Sequence, residues 1–537
     1  MTATSVAPPR PLSAAPPKPV YSENYKRLVL FLLVTAYTLN FIDRTIIATL
    51  GQPIKDTLKV TDTQLGLLGG IYFALLYTLL GIPIARLAER FSRVNIIAVS
   101  IVIWSGFTAL CGVAGSFATL AACRFGVGIG EAGLSPPAHS LISDYYEPKK
   151  RASALSVYSF GIPLGAMIGA VAGGLIANTF GWRVAFMVVG LPGVAVAIAL
   201  KLLVKEPPRG HSEPISPPLG EMSPPGSAKG RPEDKLRDRG GLAAGQGQDQ
   251  TAEVRAAPAY SLAREVKELG AVIGLLFGRW PVLNMVLGIT LVSFGNYGGG
   301  QFVPPYFVRA FHLNIGQVGL IVGLAQGLSQ GLGTLIGGPL TDRLSKLSPR
   351  WYALAPAIGV ALAYPAYVAV YNAGSWQAAA GFLLLPGLLS YIYLAPTFGV
   401  VQNMAPTHQR ATASAILLFF LNLIALGGGP PFTGWVIDHF SAFHYAHASA
   451  GTIWDAISGF FGSRPADFQA ACPGGKAAAG AAAAAKAACS GALVLGTRHG
   501  IIVAYAFSLW GAFHYLLGSF GLAKAMAKAR ADRGEGD

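Results

Sequence analysis

Twelve near-continuous apolar stretches, in two sets of six, dominate the chain between Arg27 and Met526. They lie at about 27–50, 63–87, 94–115, 117–143, 150–178 and 182–204, then 281–309, 315–341, 351–372, 375–402, 411–437 and 499–524. A helix needs roughly 20 predominantly apolar residues to cross a bilayer core. Lipid offers no partner to backbone N–H and C=O groups, so such runs must close their hydrogen bonds as helices. The pattern predicts an all-α polytopic membrane protein with twelve transmembrane helices, spans 1–12, in two pseudo-symmetric six-helix bundles. Only 12% of the 537 residues are charged, about half the share of an ordinary soluble chain. The 67 glycines and 36 prolines fit closely packed, locally broken spanning helices.

The net charge of +15 does not mark a nucleic-acid binder, because the basic residues sit at span ends and form no single patch. The 2–3, 4–5, 8–9 and 10–11 loops carry Arg86, Arg90, Arg93, Lys149, Lys150, Arg151, Arg343, Lys346, Arg350 and Arg410. The opposite short loops carry only Lys55, Lys59, Arg183 and Arg309. Lys and Arg accumulate on the cytoplasmic side, so both termini are expected there, in an inner or plasma membrane. No Asn-x-Ser/Thr sequon occurs, which favours a bacterial source.

Residues 1–25, rich in Pro, Ala and Ser, lack the ordered regions of a cleaved signal and are expected to be a disordered tail. A bundle over 26–204 is followed by a Pro/Gly-rich stretch, 205–258, expected to be a disordered cytoplasmic linker. Residues 259–278 place Leu262, Val266, Leu269, Ile273 and Phe277 on one helical face opposite Arg264, Glu265, Lys267 and Glu268. That pattern predicts an interfacial helix; an extension of span 7 is the alternative. The second bundle covers 279–526, with an outer loop at 438–498, and a tail covers 527–537.

The two halves repeat. Ala85-Arg86-Leu87-Ala88-Glu89-Arg90-Phe91-Ser92-Arg93 stands after span 2, and Gly338-Pro339-Leu340-Thr341-Asp342-Arg343-Leu344-Ser345-Lys346 after span 8. Pro148-x-x-Arg151-Ala152 answers to Pro406-x-x-x-Arg410-Ala411, and Gly169-x-x-x-Gly173-Gly174 to Gly429-Pro430 and Gly434. Three ordered matches at a nearly constant offset indicate duplication. Glu89 and Asp342 could each bind an arginine or a helix N-terminus; alternatively, Arg86, Arg90 and Arg93 are plain membrane anchors.

Asp43, Arg44, Arg124 and Glu131 fall inside spans 1 and 4. Even lenient scales charge roughly 2.5–3.5 kcal/mol for an ion at mid-span, so such groups pair and by default serve function. Arg124 and Glu131 share a helix face two turns apart, which makes partners on span 1 preferable. Asp43–Arg124 and Arg44–Glu131 are both plausible pairs. Burial and a nearby arginine act on a carboxylate in opposite senses, the balance a proton-coupled switch needs. A static staple between spans 1 and 4 is the competing reading.

Gly161, Gly165, Gly169 and Gly173 repeat every four residues in span 5, either a moving interface or ordinary helix packing. Neutral polar groups could line a cavity for an amphipathic ligand: Asn40 in the first half, and Asn296, Gln301, Gln326, Tyr391 and Asn422 in the second. Cys472 and Cys489, in a loop expected outside the cytoplasm, are expected to form a disulfide. No Walker loop, metal-ligand spacing or Gly-x-Ser-x-Gly elbow is present. The chain is therefore not expected to be an enzyme, to bind a metal or to need a cofactor.

The 2–3 and 8–9 loop motifs resemble the signature of the major facilitator superfamily, Gly-x-x-x-Asp-Arg-x-Gly-Arg-Arg/Lys. The second copy keeps Gly338, Asp342 and Arg343; the first has Ala85, Glu89 and Ser92 at the departures. Asn40-Phe41-Ile42-Asp43-Arg44, with Arg124-Phe125-Gly126-Val127-Gly128-Ile129-Gly130-Glu131-Ala132, is similar to the spinster-like group within it. The resemblance implies a cytoplasmic gate at Glu89, Arg90, Arg93, Asp342 and Arg343. It also implies proton coupling through Asp43, Arg44, Arg124 and Glu131, and export of a lysolipid or sphingolipid-like amphiphile. Efflux of hydrophobic drugs is the alternative, and a non-transporting lipid sensor a third. The expected partners are an amphiphilic small molecule, protons and membrane lipids, with no nucleic acid, and the chain is expected to be a monomer.

Overall fold

A computed structural model describes residues 20–212, 262–405, 409–447 and 459–531, with the side chains of 148, 149, 152, 262–269, 410 and 411 outside that description. Most of the stretches expected as tail (1–25) and linker (205–258), and part of the outer loop (438–498), lie outside the described residues. The described residues are helical with no strand. Among the described residues, eleven helices are long and apolar enough to cross a membrane. In the first half these are span 1 Glu23–Thr49, span 2 Asp62–Arg90, span 3 Arg93–Cys111, span 5 Ser153–Phe180 and span 6 Trp182–Leu203. In the second they are span 7 Trp280–Phe311, span 8 Ile315–Ser345, span 9 Trp351–Tyr371, span 10 Trp376–Met404, span 11 Thr412–Ala446 and span 12 Ala483–Ser519. Span 4 completes the set in two pieces, Phe117–Glu131 and Ser135–Tyr145. Its break follows from Ser135-Pro136-Pro137: proline lacks an N–H for the preceding turn but suits the first turn of a new helix. Span 10 is likewise interrupted, between Leu389 and Leu394.

Several boundaries differ from the sequence expectation. Residues 20–25 are not all tail. Ser22 Oγ accepts the Tyr25 N–H at 3.2 Å to cap span 1, and the Tyr21 ring stacks on Tyr25. The linker begins later than 205, because Glu206 and Arg209 fold back on the bundle, Arg209 donating to the Ala88 and Phe91 carbonyls. The outer loop is shorter than 438–498, since span 11 runs on to Ala446 and an alanine-rich segment starts span 12 at Ala483. Residues 527–531 are helical too, in Leu522–Ala531. The helix Leu262–Gly278 is separate from span 7, with the break at Arg279 and Pro281 opening the next helix.

The described residues begin and end, at Val20 and Ala531, on one face of the bundle, here the termini face; the 1–2 and 7–8 connections lie on the far face. Near the far face a single apolar core joins the halves, with Ile46, Leu65 and Phe186 of the first beside Phe302, Val318 and Ile437 of the second. Toward the termini face the core divides into one cluster per half. The seams are glycine-rich. A Cβ on Gly66 of span 2 would strike the Pro430 carbonyl of span 11, and one on Gly174 of span 5 would lie 2.9 Å from Gly319 Cα of span 8. Contacts continue to Gly427 against Ile71 and Gly331 against Pro163. The halves are thus closed together at the far face and part below mid-span. Gly165 and Gly169 of the span 5 repeat press instead on Thr38, Phe41 and Ile42 of span 1, inside their own half.

Cys472 and Cys489 are joined by a disulfide, with Cα atoms 5.7 Å apart. It fastens a cap, between spans 11 and 12, that reaches the first half: Lys476 Nζ pairs with Asp56 Oδ2 at 2.7 Å, and Gln469 Nε2 donates to the Lys59 carbonyl at 3.2 Å. A loop of this size restricts the unfolded chain by about 3 kcal/mol in the chain-entropy model. Cys472→Ser is therefore expected to lower the thermal midpoint of the purified protein, and reductant is expected to do the same to the native chain. An unchanged midpoint in both would show that the cap does not depend on the bond.

Candidate functional site

Asp43 and Arg44 are successive residues of span 1, so their side chains leave the helix about 100° apart. Arg44 turns toward spans 2 and 4. Its Nε donates to Glu131 Oε2 at 2.7 Å, and its guanidinium lies 4.4 Å from the Tyr77 ring centre and 4.9 Å from that of Phe73. Asp43 turns toward span 3, where its Oδ2 accepts from Thr108 Oγ1 at 3.1 Å. Span 4 is drawn close by its glycines: a Cβ on Gly128 would lie 2.5 Å from the Phe73 carbonyl oxygen, and one on Gly130 2.5 Å from Trp104 N. This contact sets Arg124 and Glu131 deep in the first half.

Of the two plausible pairings, only Arg44–Glu131 forms. Arg124 Nε donates to the Leu68 carbonyl at 3.1 Å, and its guanidinium lies 5.2 Å from the Phe73 ring centre. It stays within electrostatic reach of both Asp43 and Glu131. One oxygen of each carboxylate, Asp43 Oδ1 and Glu131 Oε1, is buried without a hydrogen-bond partner. The Asn40 amide, beside Glu131, has no well-formed hydrogen bond either. Two carboxylates and two guanidiniums thus share one ion pair and leave spare acceptor capacity. Buried polar groups are ordinarily hydrogen-bonded, so these two oxygens can each accept a further donor. The Arg44 side chain is 16% exposed while Glu131 is fully buried, so the arginine is the edge of the cluster that meets the central space.

The opposite wall comes from the second half. Tyr297 of span 7 is 43% exposed, yet lies in electrostatic reach of Arg44 and Tyr77. It also lies near Tyr391 and Tyr393, at the break in span 10. Its exposed surface therefore faces the space between the halves. Asn296, whose amide atoms are buried without partners, precedes it on span 7. Asn422 is half-buried in the π-helical turn Leu421–Leu426 of span 11, and Gln326 is half-buried on span 8. Two residues proposed for the cavity belong elsewhere. Gln301 is buried against Gly69 on the seam between spans 2 and 7, and Asn40 sits within the charged cluster. Tyr297, not singled out from the sequence, is the better wall residue.

Two of the expected gate residues, Asp342 and Arg93, bond within their own halves here. Glu89, Arg90, Asp342 and Arg343 are exposed, and Asp342 Oδ1 accepts from Tyr352 Oη at 3.1 Å within its own half. Arg93 is buried and bonds Asp144, with a second ion pair to Glu206 Oε1 at 2.6 Å. Glu206 Oε2 in turn accepts from Ser92 Oγ and the Val94 N–H, capping span 3. Arg93 is thus an anchor inside the first half in this conformation.

The charged lock between the halves lies at the far face, among residues the sequence pattern treated as loop charges. Asp62, fully buried, binds Lys55 Nζ at 2.9 Å and Arg309 Nη2 at 2.6 Å. Arg309 also donates to Gln52 Oε1 and to Thr497 Oγ1, each at 2.6 Å. Asp438 of span 11 accepts the Asp62 and Thr63 N–H groups at 3.0 and 2.8 Å, a second-half acid at the positive end of a first-half helix. Thr61 and Gln64 complete a capping box at that helix start, the one local sequence signal that these residues are ordered.

Two helical halves, each with one broken span, enclose a central polar site and meet at one face, which is the construction of a secondary transporter that works by alternating access. The chain belongs to the major facilitator superfamily, whose family model matches residues 33–428. It is 31% identical over 401 residues to an MFS-type efflux pump of Mycolicibacterium smegmatis, covering 75% of this chain and 82% of that protein. It is 35% identical over 176 residues to the protein spinster of Drosophila melanogaster, covering 33% of this chain and 29% of that one. The crystal structure of a bacterial homologue of the human lysosomal transporter spinster, inward-facing and occupied, superimposes with a TM-score of 0.73 at 30% identity. That match covers 94% of this chain and 99% of the other. The protein is therefore a spinster-like, multi-pass membrane transporter and not an enzyme.

Proposed function

We propose that the protein couples proton movement to the passage of a lysolipid or sphingolipid-like amphiphile across the inner membrane, with both termini in the cytoplasm. The observation that carries this reading is the incompletely paired Asp43–Arg44–Arg124–Glu131 cluster at the edge of a space walled by tyrosines. A carboxylate with a buried, vacant oxygen can take a proton there, and Arg44 can exchange Glu131 for the anionic headgroup of a ligand. The aromatic wall with few neutral amides suits an apolar chain, and the substrate class itself rests on the spinster-like motifs. Alternating access then requires the far-face lock at Asp62, Arg309 and Asp438 to open while Glu89 and Asp342 find partners on the termini face. The chain works as a monomer in this scheme, without nucleic acid.

The similarity to a mycobacterial efflux pump favours a second reading, efflux of hydrophobic drugs by the same machinery. Counterflow in proteoliposomes distinguishes them. Radiolabelled lysophospholipid preloaded on one side is expected to exchange with external lysophospholipid and not with a lipophilic cation. Exchange with the cation alone would replace the lipid reading with the drug reading. Binding without exchange of either would make the protein a sensor.

A further inference from the structure

The second piece of span 4, Ser135–Tyr145, has two faces. Ala138, Leu141, Ile142 and Tyr145 are buried in the core of the first half. Ser135, His139 and Ser143, spaced four apart, form a polar stripe; the serines are half-buried and His139 is exposed. A histidine exposed within a span faces the bundle interior or a water-filled space and not lipid. On this side of mid-span the halves stand apart, so the stripe lines the space open to the termini face. It starts one turn past Glu131, across the break at 132–134, and ends beside Asp144, which Arg93 holds. His139 is the one residue between these two acids that titrates near neutral pH.

Hydroxyl groups fill the distance between Glu131 and His139, about 12 Å along the helix. The Tyr77 ring meets Arg44, the partner of Glu131. Tyr37 stands within electrostatic reach of Tyr77 and Arg44, and the Ser135 hydroxyl within hydrogen-bonding reach of both Tyr37 and Tyr158. The rings of Tyr37 and Tyr158 stack at 4.3 Å, and the His139 ring stands nearly perpendicular to that of Tyr158 at 5.4 Å. Tyr158 Oη is buried without a well-formed hydrogen bond. The charges nearest the lower end of the stripe each have a bond inside the first half: Arg93 with Asp144, and Arg151 to the Ser143 carbonyl at 2.9 Å. We propose that His139 relays the proton between the Asp43–Arg44–Arg124–Glu131 cluster and water at the termini face. The relay rests on the proton-coupled reading above. As Arg44 returns to Glu131, the carboxyl gives up its proton. The proton crosses the serine and tyrosine hydroxyls, and water among them, by exchange of hydrogen bonds, and adds to the lone pair of the imidazole. The imidazolium passes it to water and the neutral ring is restored.

Net movement of substrate must release a proton in each cycle, whereas exchange need not, so the two separate the relay from the rest of the machinery. In proteoliposomes at equal pH on both sides, His139→Ala is expected to slow net downhill movement of radiolabelled lysophosphatidylglycerol about a hundredfold. That is the lower end of what a positioned proton-transferring side chain contributes. Counterflow should survive. Imidazole at equal concentration on both sides should restore net movement in His139→Ala and leave the native rate unchanged, because a free proton carrier repairs a lost relay and not a lost packing contact. If His139→Ala fails to fold, His139→Gln keeps the polar stripe, carries no proton and is expected to show the same split between net movement and exchange. Net movement at the native rate in either variant, or a loss in His139→Ala that imidazole leaves unrepaired, would overturn the relay while the coupled reading stands. Net movement in the native protein that carries no proton would instead remove the coupled reading and the relay with it.

Discussion

Asp43→Asn and Glu131→Gln are each expected to reduce gradient-driven uptake to background while the protein stays folded and counterflow survives, because exchange need not release the proton. The two differ in what they leave behind. Glu131→Gln takes the only anion from Arg44, whose guanidinium retains the Tyr77 and Phe73 faces. Asp43→Asn removes a group hydrogen-bonded by Thr108, with Arg124 in electrostatic reach but out of contact, and it should disturb the fold least. Arg44→Ala is the severe case, because it strands a fully buried carboxylate. Removing one partner of such a pair costs about 3–5 kcal/mol, so a large fall in thermal midpoint should accompany lost transport. Uptake into proteoliposomes under an imposed pH gradient checks all three. Full gradient-driven uptake in both acid variants would leave the cluster a static staple between spans 1 and 4.

Arg309→Ala is expected to open the far face. The arginine joins Asp62 and Gln52 of the first half to Thr497 of the second, and its loss leaves Asp62 with Lys55 from its own half. Breaking a buried pair costs a few kcal/mol in the closed state alone, which moves the balance between states on the order of a hundredfold. Asp438→Ala acts in the same direction, since it uncaps the first-half helix from across the seam. A cysteine introduced at Leu65, buried in the apolar core that joins the halves near the far face, should become reactive to a membrane-impermeant thiol reagent applied from the far face in a Cys111→Ser, Cys123→Ser background. Equal reactivity with and without Arg309 would remove the lock from the mechanism.

The fold was legible because lipid tolerates few alternatives: long apolar runs, a repeated loop motif and basic loops define two six-helix halves. The charged cluster was legible for the same reason, since Asp43, Arg44, Arg124 and Glu131 have no inexpensive place in a spanning helix unless they meet. Which acid met which arginine was not, because adjacent residues of span 1 face different neighbours and only packing of Gly128 and Gly130 decides the depth of span 4. The far-face lock escaped notice because Lys55 and Arg309 at span ends look like topogenic charges, and Asp438 lies just beyond the apolar run. Glu206 was hidden in a stretch whose composition reads as linker, although its carboxylate caps span 3. Gln301 shows the converse: a polar residue inside a span can serve a seam as readily as a cavity.

Proton flux on addition of substrate is the most direct test of the account. Proteoliposomes loaded with a pH-sensitive dye, without an imposed gradient, receive a lysophospholipid on one side. The account predicts an internal pH change that depends on the substrate and is lost in Asp43→Asn and Glu131→Gln. Substrate movement with no pH change in the native protein, or an identical pH change in both acid variants, would contradict it.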